Sequence, residues 1–146
     1  MTMRLLSVLI GLLLAACQPD ARPVRIGEEC AHCRMQVMAP QYAAEMITKK
    51  GRQYVFDDVS CLVRFLQEDS AKAGQAAQLL VADYQAPAHW VPVAQASFVQ
   101  SDQLRTPMNG QTVALATDAA ARALSQQFSP AGTIMAWPQV QRELAR

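Results

Sequence analysis

A dense group of soft metal donors lies between residues 30 and 35 of this 146-residue chain. Cys30 and Cys33 form a C-x-x-C motif, His32 lies between them, and Met35 follows two residues after the second cysteine. Thiolate and thioether sulfurs are the ligands that select Cu(I), and imidazole also binds copper. The residue types therefore favour a Cu(I) site that uses Cys33 and Met35, with Cys30 and His32 as extra ligands or as their outer partners.

The spacing of Cys33 and Met35 gives a geometric reason for this choice. In an extended chain, side chains two residues apart point to the same side, so both sulfurs could reach one ion. Met108 is a further candidate, because it lies in the loop R-T-P-M-N-G, where no core explains a methionine. Met46 and Met135 lie inside predicted strands, and we interpret both as core residues.

Three other roles remain open for the C-x-x-C motif. A structural zinc site has four ligands, and the sequence contains no second such pair, although Cys61 and His89 could be recruited. A periplasmic thiol–disulfide oxidoreductase could use Cys30 and Cys33, but its motif should open a helix, whereas Pro40 interrupts the segment that follows. A metal-free binding module could use a Cys30–Cys33 disulfide to tighten the N-terminal loop.

The first 16 residues are typical of a secretory leader. Arg4 provides the positive charge, and the apolar run over residues 5–14 is too short for a permanent membrane-spanning helix. The run ends in L-A-A-C, which resembles the lipobox of bacterial lipoproteins. We therefore predict a signal peptide over residues 1–16.

The cysteine of that motif predicts a membrane anchor. Cleavage would make Cys17 the lipidated N-terminus, followed by a tether over residues 17–25 with mixed charge and two prolines. In lipoproteins an aspartate after the cysteine commonly retains the protein in the inner membrane, whereas this chain has Gln18. The predicted location is therefore the periplasmic side of the outer membrane.

Charge balance and cysteine count restrict the function of the remaining chain. One of the 13 Lys and Arg residues is Arg4 in the leader, which leaves 12 against 12 Asp and Glu. A neutral balance argues against nucleic acid as a partner. Three of the four cysteines remain once Cys17 is lipidated, and an odd number cannot all pair within the molecule.

Two similar series of elements follow one another along residues 26–146. The patterns of apolar residues predict strand, strand, helix and strand in each half, so the order β-β-α-β occurs twice. We place the modules at about 26–84 and 96–146, with a connector over 83–95 that carries two prolines. Each half alone is too small to bury both faces of its sheet, so we expect an α+β fold with two β-β-α-β modules packed as one compact unit. The predicted strands are 42–48, 53–56, 79–82, 97–100, 112–116 and 133–136, and the predicted helices are 59–66, 118–128 and a short one from residue 137.

The helix of the first module follows an acidic pair. Asp57 and Asp58 offer an N-cap and acidic charge for the first turn. An acidic pair ahead of Cys61 could also form a second metal site. We interpret the pair as a helix cap and Cys61 as a small buried hydrophobic residue.

In their order along the chain, these motifs resemble the NosL family, copper-binding lipoproteins that serve the assembly of nitrous oxide reductase. Each piece is weak alone, whereas the series with its spacing is specific and extends over nearly the whole mature chain. The matching pieces are L-A-A-C at 14–17, C-A-H-C-R-M at 30–35, F-D-D-V-S-C-L at 56–62, V-A-D-Y at 81–84, H-W-V-P-V-A-Q-A-S-F-V at 89–99, T-P-M-N-G at 106–110 and G-T-I-M-A-W at 132–137.

The resemblance implies a fold and a site. The fold would be similar to the core of organomercurial lyases, and one Cu(I) would be held by cysteine and methionine, with histidine as a candidate. The family's cysteine carries over to Cys33, and its methionines carry over to Met35 and Met108. This chain has Arg34 and Asn109 where the family usually has glycine, so both departures lie next to an implied ligand.

The resemblance also implies a role. The protein would be a non-enzymatic, lipid-anchored Cu(I) chaperone that delivers copper for assembly of the catalytic copper–sulfide cluster of nitrous oxide reductase. Its implied partners are that reductase and a membrane-bound assembly complex of the ABC-transporter type. Copper would pass by ligand exchange, which an exposed loop permits better than a core.

Overall fold

The computed structural model describes residues 21–146. The predicted signal peptide, Cys17 and the beginning of the predicted tether lie outside the described residues. Between residues 21 and 146, no helix has both the length and the apolar character that crossing a bilayer requires. The described residues therefore comprise the end of the predicted tether and the domain that follows it.

The first module is built on a four-stranded antiparallel sheet. Its strands are β1, Ala44–Thr48, β2, Gln53–Phe56, β3, Ala76–Asp83, and β4, Ala86–Pro92, in the spatial order β2-β1-β3-β4. Gly51, with φ 80°, adopts the left-handed conformation in the turn between β1 and β2. Every residue of β1 is buried, so this strand lies at the centre of the module.

Helix α1, Val59–Glu68, begins directly after β2. Asp58 caps it, because its carboxylate accepts hydrogen bonds from the backbone N–H groups of Ser60 and Cys61. The predicted cap is confirmed. A short helix α2, Ser70–Ala73, occupies the polar stretch in which the sequence pattern becomes irregular.

The second module repeats the topology of the first. Its strands are β5, Ser97–Gln100, β6, Thr112–Leu115, and β7, Thr133–Met135, in the order β6-β5-β7. Helix α3, Asp118–Ser125, lies between β6 and β7 in the chain, and α4, Trp137–Leu144, ends the fold. In each module the first strand lies between the second and the third, so the predicted α+β fold of two β-β-α-β modules is confirmed.

One hydrophobic core joins the two modules. Met46 and Leu62 of the first module belong to the same buried cluster as Phe98, Met135 and Leu144 of the second. Both methionines are therefore core residues, as the sequence predicts. A smaller cluster lies between α3 and the second sheet. The modules pack as one unit because they bury each other's apolar faces.

The predicted connector over residues 83–95 is wrong, because most of it is strand β4. This edge strand is largely exposed, so its sequence lacks the alternation of buried and exposed positions that reveals a strand. Its prolines are tolerated because one side of an edge strand needs no hydrogen-bonding partner. His89 is exposed on β4, and its Nδ1 lies 3.9 Å from Asp83 Oδ2.

Residues 22–38, the N-terminal ribbon, fold back on themselves before β1. Glu29 and Gln36 form an antiparallel bridge across the ribbon. Val37 N also donates a hydrogen bond to Glu28 O at 2.8 Å. Val37 is buried with Val55, on the face of the first sheet opposite α1. The ribbon therefore covers that face while it carries Cys30 and Cys33 towards α1.

The ribbon is fastened at both its start and its tip. Trp90 Nε1 donates a hydrogen bond to Arg22 O at 3.1 Å, and the Arg22 guanidinium lies 2.6 Å from Glu28 Oε1. At the tip, Ala31 N donates to Val55 O of β2 at 2.8 Å. The position of the tip is thus set by the sheet.

A buried carboxyl lies on the face that the ribbon covers. Glu45 of β1 is the cross-strand partner of Val55, has no exposed surface, and has no hydrogen-bond partner for either carboxyl oxygen within the described chain. Burial raises the pKa of Glu45 to about 7; the Arg22 guanidinium opposes this rise and the Glu28 carboxylate adds to it. Ionisation of Glu45 is therefore unfavourable in the folded protein.

Candidate metal centre

Three cysteine sulfurs meet where the N-terminal ribbon reaches the start of α1. The Sγ atoms of Cys30, Cys33 and Cys61, the cysteine triad, all lie within 4.8 Å of one another. All three are free thiols. Over residues 21–146, this is the one group of three or more Cys, His, Asp or Glu side chains that is compact enough to hold a metal ion.

A tight turn in the ribbon brings Cys30 and Cys33 together. Cys30 N donates to Met35 O at 2.8 Å, and Arg34 N donates to Cys30 O at 3.1 Å. Arg34 has φ 66°, a left-handed conformation that costs a non-glycine residue about 1–2 kcal/mol. The extended geometry that we predict from Cys33 to Met35 is therefore wrong, because the left-handed residue between them breaks the alternation of side chains.

Cys61 enters the triad from the first turn of α1. It is buried, as the sequence interpretation expects, but that interpretation missed that its sulfur adjoins those of Cys30 and Cys33. The Asp58 cap fixes this turn, because its carboxylate accepts from Cys61 N at 3.1 Å. The signal that could have found Cys61 was the odd cysteine count, since a third thiol that cannot pair within the molecule calls for a use or for protection.

The three thiols differ in their tendency to ionise. A hydrogen bond from the Cys61 thiol lowers the pKa of Cys30 to about 5 against the effect of burial, and backbone hydrogen bonds from Cys33, Asp57 and His32 assist. The same sulfur–sulfur hydrogen bond raises the pKa of Cys61, and burial raises it further. Burial also raises the pKa of Cys33. Of the three thiols, Cys30 is therefore the one that ionises most readily.

A second titratable group adjoins Cys30. Asp57 is buried, and burial raises its pKa to about 6, with the negative charges of Cys30 and Asp58 adding to the rise. The site therefore concentrates negative charge in a poorly solvated place, which favours a bound cation.

The donors are arranged from buried to exposed. Cys30 and Cys61 have 0% and 1% of their surface exposed, Cys33 is partly exposed, and Met35 is 56% exposed. An ion that arrives from solvent can therefore reach Cys33 and Met35 before it reaches the two buried sulfurs.

His32 and Met108 lie outside the compact triad. The Nδ1 atom of His32 is 3.4 Å from Glu68 Oε2, which leaves Nε2 as the nitrogen free to bind a metal. Met108 N donates to Asp58 Oδ2 at 2.9 Å, and the Met108 side chain packs, half-buried, against the main core. The expectation that no core explains Met108 is therefore wrong.

Both departures from the usual family sequence fall at left-handed residues. Arg34 has φ 66° and Asn109 has φ 56°. Glycine adopts this conformation at least cost, which explains in physical terms why it would suit both positions. Arg34 instead places its guanidinium 3.0 Å from Glu29 Oε1 on the surface.

Fold and site together define a class of protein. The triad offers three sulfurs, and no fourth Cys, His, Asp or Glu among residues 21–146 joins this compact group as a structural zinc site would need. The C-x-x-C motif lies in a ribbon turn and does not open a helix, unlike the motif of thiol–disulfide oxidoreductases. The chain is an α+β protein with a site suited to a soft metal ion.

Comparisons with known proteins agree with this class. The NosL family model matches residues 22–145, and the chain belongs to the NosL family. No curated protein matches the sequence. The fold is similar to that of the copper chaperone NosL from Shewanella denitrificans, with a TM-score of 0.69 and 19% identity, over 84% of this chain and 96% of that chain.

Proposed function

We propose that this protein is a non-enzymatic Cu(I) chaperone that delivers copper for assembly of the catalytic copper–sulfide cluster of nitrous oxide reductase. The observation that carries the proposal is the triad of free cysteine sulfurs within 4.8 Å of one another in a NosL-family chain. Copper is the cargo of such a protein, so the site must both hold the ion and release it.

The donor chemistry supports Cu(I) as that cargo. Thiolate and thioether ligands select Cu(I), whereas carboxylate and carbonyl ligands suit harder ions. The triad supplies Cys30, Cys33 and Cys61, and Met35 lies at the exposed side of the same turn. His32, with Nε2 available, and Met108 are further candidate ligands.

Loading would proceed by stepwise replacement of protons. The pKa of Cys30 is lowered by the hydrogen bond from the Cys61 thiol, so Cys30 gives up its proton to an incoming ion most readily of the three. Cys33 and Cys61 have raised pKa values and must each release a proton as they bind. In unloading, ligands of a partner would replace Cys33 first, so the ion would never become a free aquo ion.

The partner follows from the proposed anchor. A lipidated Cys17 on the periplasmic side of the outer membrane would hold the domain by the predicted tether, of which only residues 17–21 precede the fastened Arg22, so that its reach is at most about 18 Å. Handover to membrane-bound machinery is then easier than handover to a freely diffusing protein. We therefore assign the first transfer to an assembly complex of the ABC-transporter type, and nitrous oxide reductase receives the copper through it.

A thiol–disulfide oxidoreductase that uses Cys30 and Cys33 is less well supported. Such an enzyme presents an exposed thiolate of low pKa to its substrate. In this protein the low pKa belongs to the fully buried Cys30, and the more exposed Cys33 has a raised pKa. The accessible and the reactive sulfur are therefore different atoms.

Metal titration tests the binding half of the proposal. Full-length protein in detergent, reduced and without oxygen, should compete with a Cu(I) chelator for about one equivalent of copper. Oxidation to a Cys30–Cys33 disulfide should abolish this binding and should be reversed by reduction. Equal copper uptake by the oxidised and reduced proteins would contradict the use of these thiols.

A deletion strain tests the delivery half. Cells without this protein, grown at limiting copper, should export reductase polypeptide with a poorly loaded catalytic cluster and should accumulate nitrous oxide. Wild-type protein should restore reductase activity and copper content, and Cys33→Ser should not. Full reductase activity in the deletion strain at limiting copper would reject the assignment to this reductase.

A further inference from the structure

One buried carboxylate joins the cysteine triad to the second module. Asp58 is 1% exposed, and its Oδ1 atom accepts from Ser60 N at 2.9 Å and from Cys61 N at 3.1 Å. Its Oδ2 atom accepts from Met108 N at 2.9 Å, across 50 residues of sequence. A helix cap needs only the first set of bonds, so the bond to Met108 is an additional role.

A second contact holds the same loop against the same turn of α1. A Cβ atom at Gly110 would lie 2.9 Å from the Cβ atom and 3.1 Å from the Oγ atom of Ser60, which is too close for any larger residue without movement. The Ser60 hydroxyl in turn donates to Asp58 Oδ1 at 2.5 Å. Residues 106–110 are thus pressed onto the first turn of α1, the turn that carries Cys61.

We propose that Asp58 is a positioning residue for the metal centre, holding the loop over residues 106–110 so that the Met108 thioether can bind an ion held by the cysteine triad. The proposal rests on the proposed function and deepens it, because copper would then be held by donors from both modules. Hydrogen bonds to a carboxylate are about twice as strong as neutral ones, so a single side chain can fix both the helix turn and the loop.

The physical reason for such a device is entropy. Met108 lies in a loop beside Asn109, a left-handed residue. Because the backbone of this loop is already held at Met108 N and at Gly110, it has less conformational freedom to lose when the Met108 side chain binds a metal.

Asp58→Asn in the full-length protein tests the proposal. Asparagine caps helices as well as aspartate does, but its amide nitrogen donates and cannot accept the Met108 N–H. Cu(I) affinity should fall about tenfold, the size expected when an outer partner of a ligand is lost. Met108→Leu should lower it by a similar factor, and the double variant should lower it no further, because both changes remove one interaction.

X-ray absorption at the copper edge provides a readout that a general loss of stability would not change. Asp58→Asn and Met108→Leu should each remove one sulfur from the copper shell, while all three cysteines remain. Gly110→Ala, which displaces the loop without touching any donor, should do the same. Thr117→Asn, a cap change at the start of α3, is the matched control and should leave affinity and sulfur count unchanged.

Two copper results would overturn the proposal. The first is an Asp58→Asn protein that has the Cu(I) affinity and the number of sulfur ligands of the wild type. The second is a double variant whose fold-loss of Cu(I) affinity equals the product of the fold-losses of the two single variants. Wild-type protein that takes up no Cu(I) would reject the proposed function by itself. Hydrogen exchange of the Met108 amide then decides the positioning role. Lost protection in Asp58→Asn supports it, and unchanged protection overturns it.

Discussion

The two modules have the same strand order, yet the thiols lie only in the first. Phe56 ends β2 and Asp58 caps α1 two residues later, as Leu115 ends β6 and Thr117 caps α3 two residues later. The two helix starts can therefore be compared position by position. Their backbones are alike, so the difference in chemistry must come from individual side chains and from the N-terminal ribbon.

The comparison isolates the residues that distinguish the candidate metal site of the first module. Three positions after the cap, Cys61 corresponds to Ala120, and one position before the cap, Asp57 corresponds to Ala116. The second module also lacks a counterpart of the ribbon, because β5 follows β4 after only four residues. A helix start of this kind is a general structural unit, and it becomes a metal site only where a sulfur and a covering segment are added.

The first strands of the two modules differ at one buried position, where the first module has a carboxyl side chain. Ala44 pairs with Phe56 in the first sheet as Ser97 pairs with Leu115 in the second, so Glu45 corresponds to Phe98. Both are fully buried, but one is a carboxyl without a hydrogen-bond partner in the described chain and the other is an aromatic core residue. The first sheet therefore buries an unpaired carboxyl at the position where the second sheet buries an aromatic ring.

The largest effect on Cu(I) affinity is expected when Cys61 is replaced by the residue at the corresponding position of the second module. Cys61→Ala introduces the residue found at position 120 and should lower Cu(I) affinity by more than about a hundredfold, since a charged thiolate ligand costs more to lose than a neutral thioether or an outer partner. Competition with a Cu(I) chelator measures this. Met135→Leu, a buried change in β7, is the control, and equal effects of the two variants would mean that core packing explains the loss.

The next largest effect concerns Glu45 and depends on pH. Its pKa is raised from 4.5 to about 7 on folding, so the unfolded chain ionises first and stability falls as pH rises between these values. The fall amounts to about 3 kcal/mol at most, at 1.36 kcal/mol per pKa unit. Asp57 and Cys30 also have shifted pKa values, and their contributions to the pH profile are common to the wild type and the variant. Glu45→Gln should remove only the Glu45 contribution, so that between pH 4.5 and pH 8 its free energy of urea unfolding should fall by about this much less than that of the wild type.

The exposed Glu143→Gln on α4 is the matched control for that measurement and should follow the wild-type pH profile. A Glu45→Gln protein whose free energy of unfolding still falls by as much as that of the wild type would show that another group causes the fall.

A smaller difference should separate the two left-handed residues beside the site. Arg34→Gly in the first module should raise the free energy of unfolding by up to about 1 kcal/mol, because arginine is strained at φ 66°. Asn109→Gly in the second should change it less, because asparagine tolerates this conformation. Chemical denaturation of both variants measures the difference, and a larger gain for Asn109→Gly would contradict it.

The smallest expected effect is a null result in the second module. Ala120→Cys places a thiol at the position that corresponds to Cys61, but no ribbon brings further sulfurs to α3. Copper titration should therefore show no second equivalent of tightly bound Cu(I). A second equivalent would mean that a thiol at a helix start is sufficient and that the ribbon is not needed.

Local signals in the sequence were enough for most of the fold. The bounds of β2 and β5 agree with the prediction, and α1 and α3 begin at the predicted residues, Val59 and Asp118. A cap is encoded within four residues, and a buried strand is encoded in its own apolar run. Strand β4 was missed because it is held by pairing to β3, and its exposed edge position leaves no pattern in its own residues.

The site could be predicted only in part, for a similar reason. Cys30 and Cys33 are neighbours in sequence, so their partnership was visible, whereas Cys61 joins them through the packing of α1 under the ribbon. Only one role of Asp58 could be predicted from the sequence. Its helix cap is a local motif, whereas its hydrogen bond to Met108 depends on the contact between the modules.

The attachment of Arg22 has a mechanical consequence. The chain that precedes the domain enters at Arg22, whose carbonyl is bonded to Trp90 and whose guanidinium is bonded to Glu28. A pull along the preceding residues is therefore borne by the first sheet, eight residues before Cys30. A force on the chain before Arg22 should therefore not change the geometry of the cysteine sulfurs. If the domain is anchored through that chain, it would present the same set of donors in every orientation.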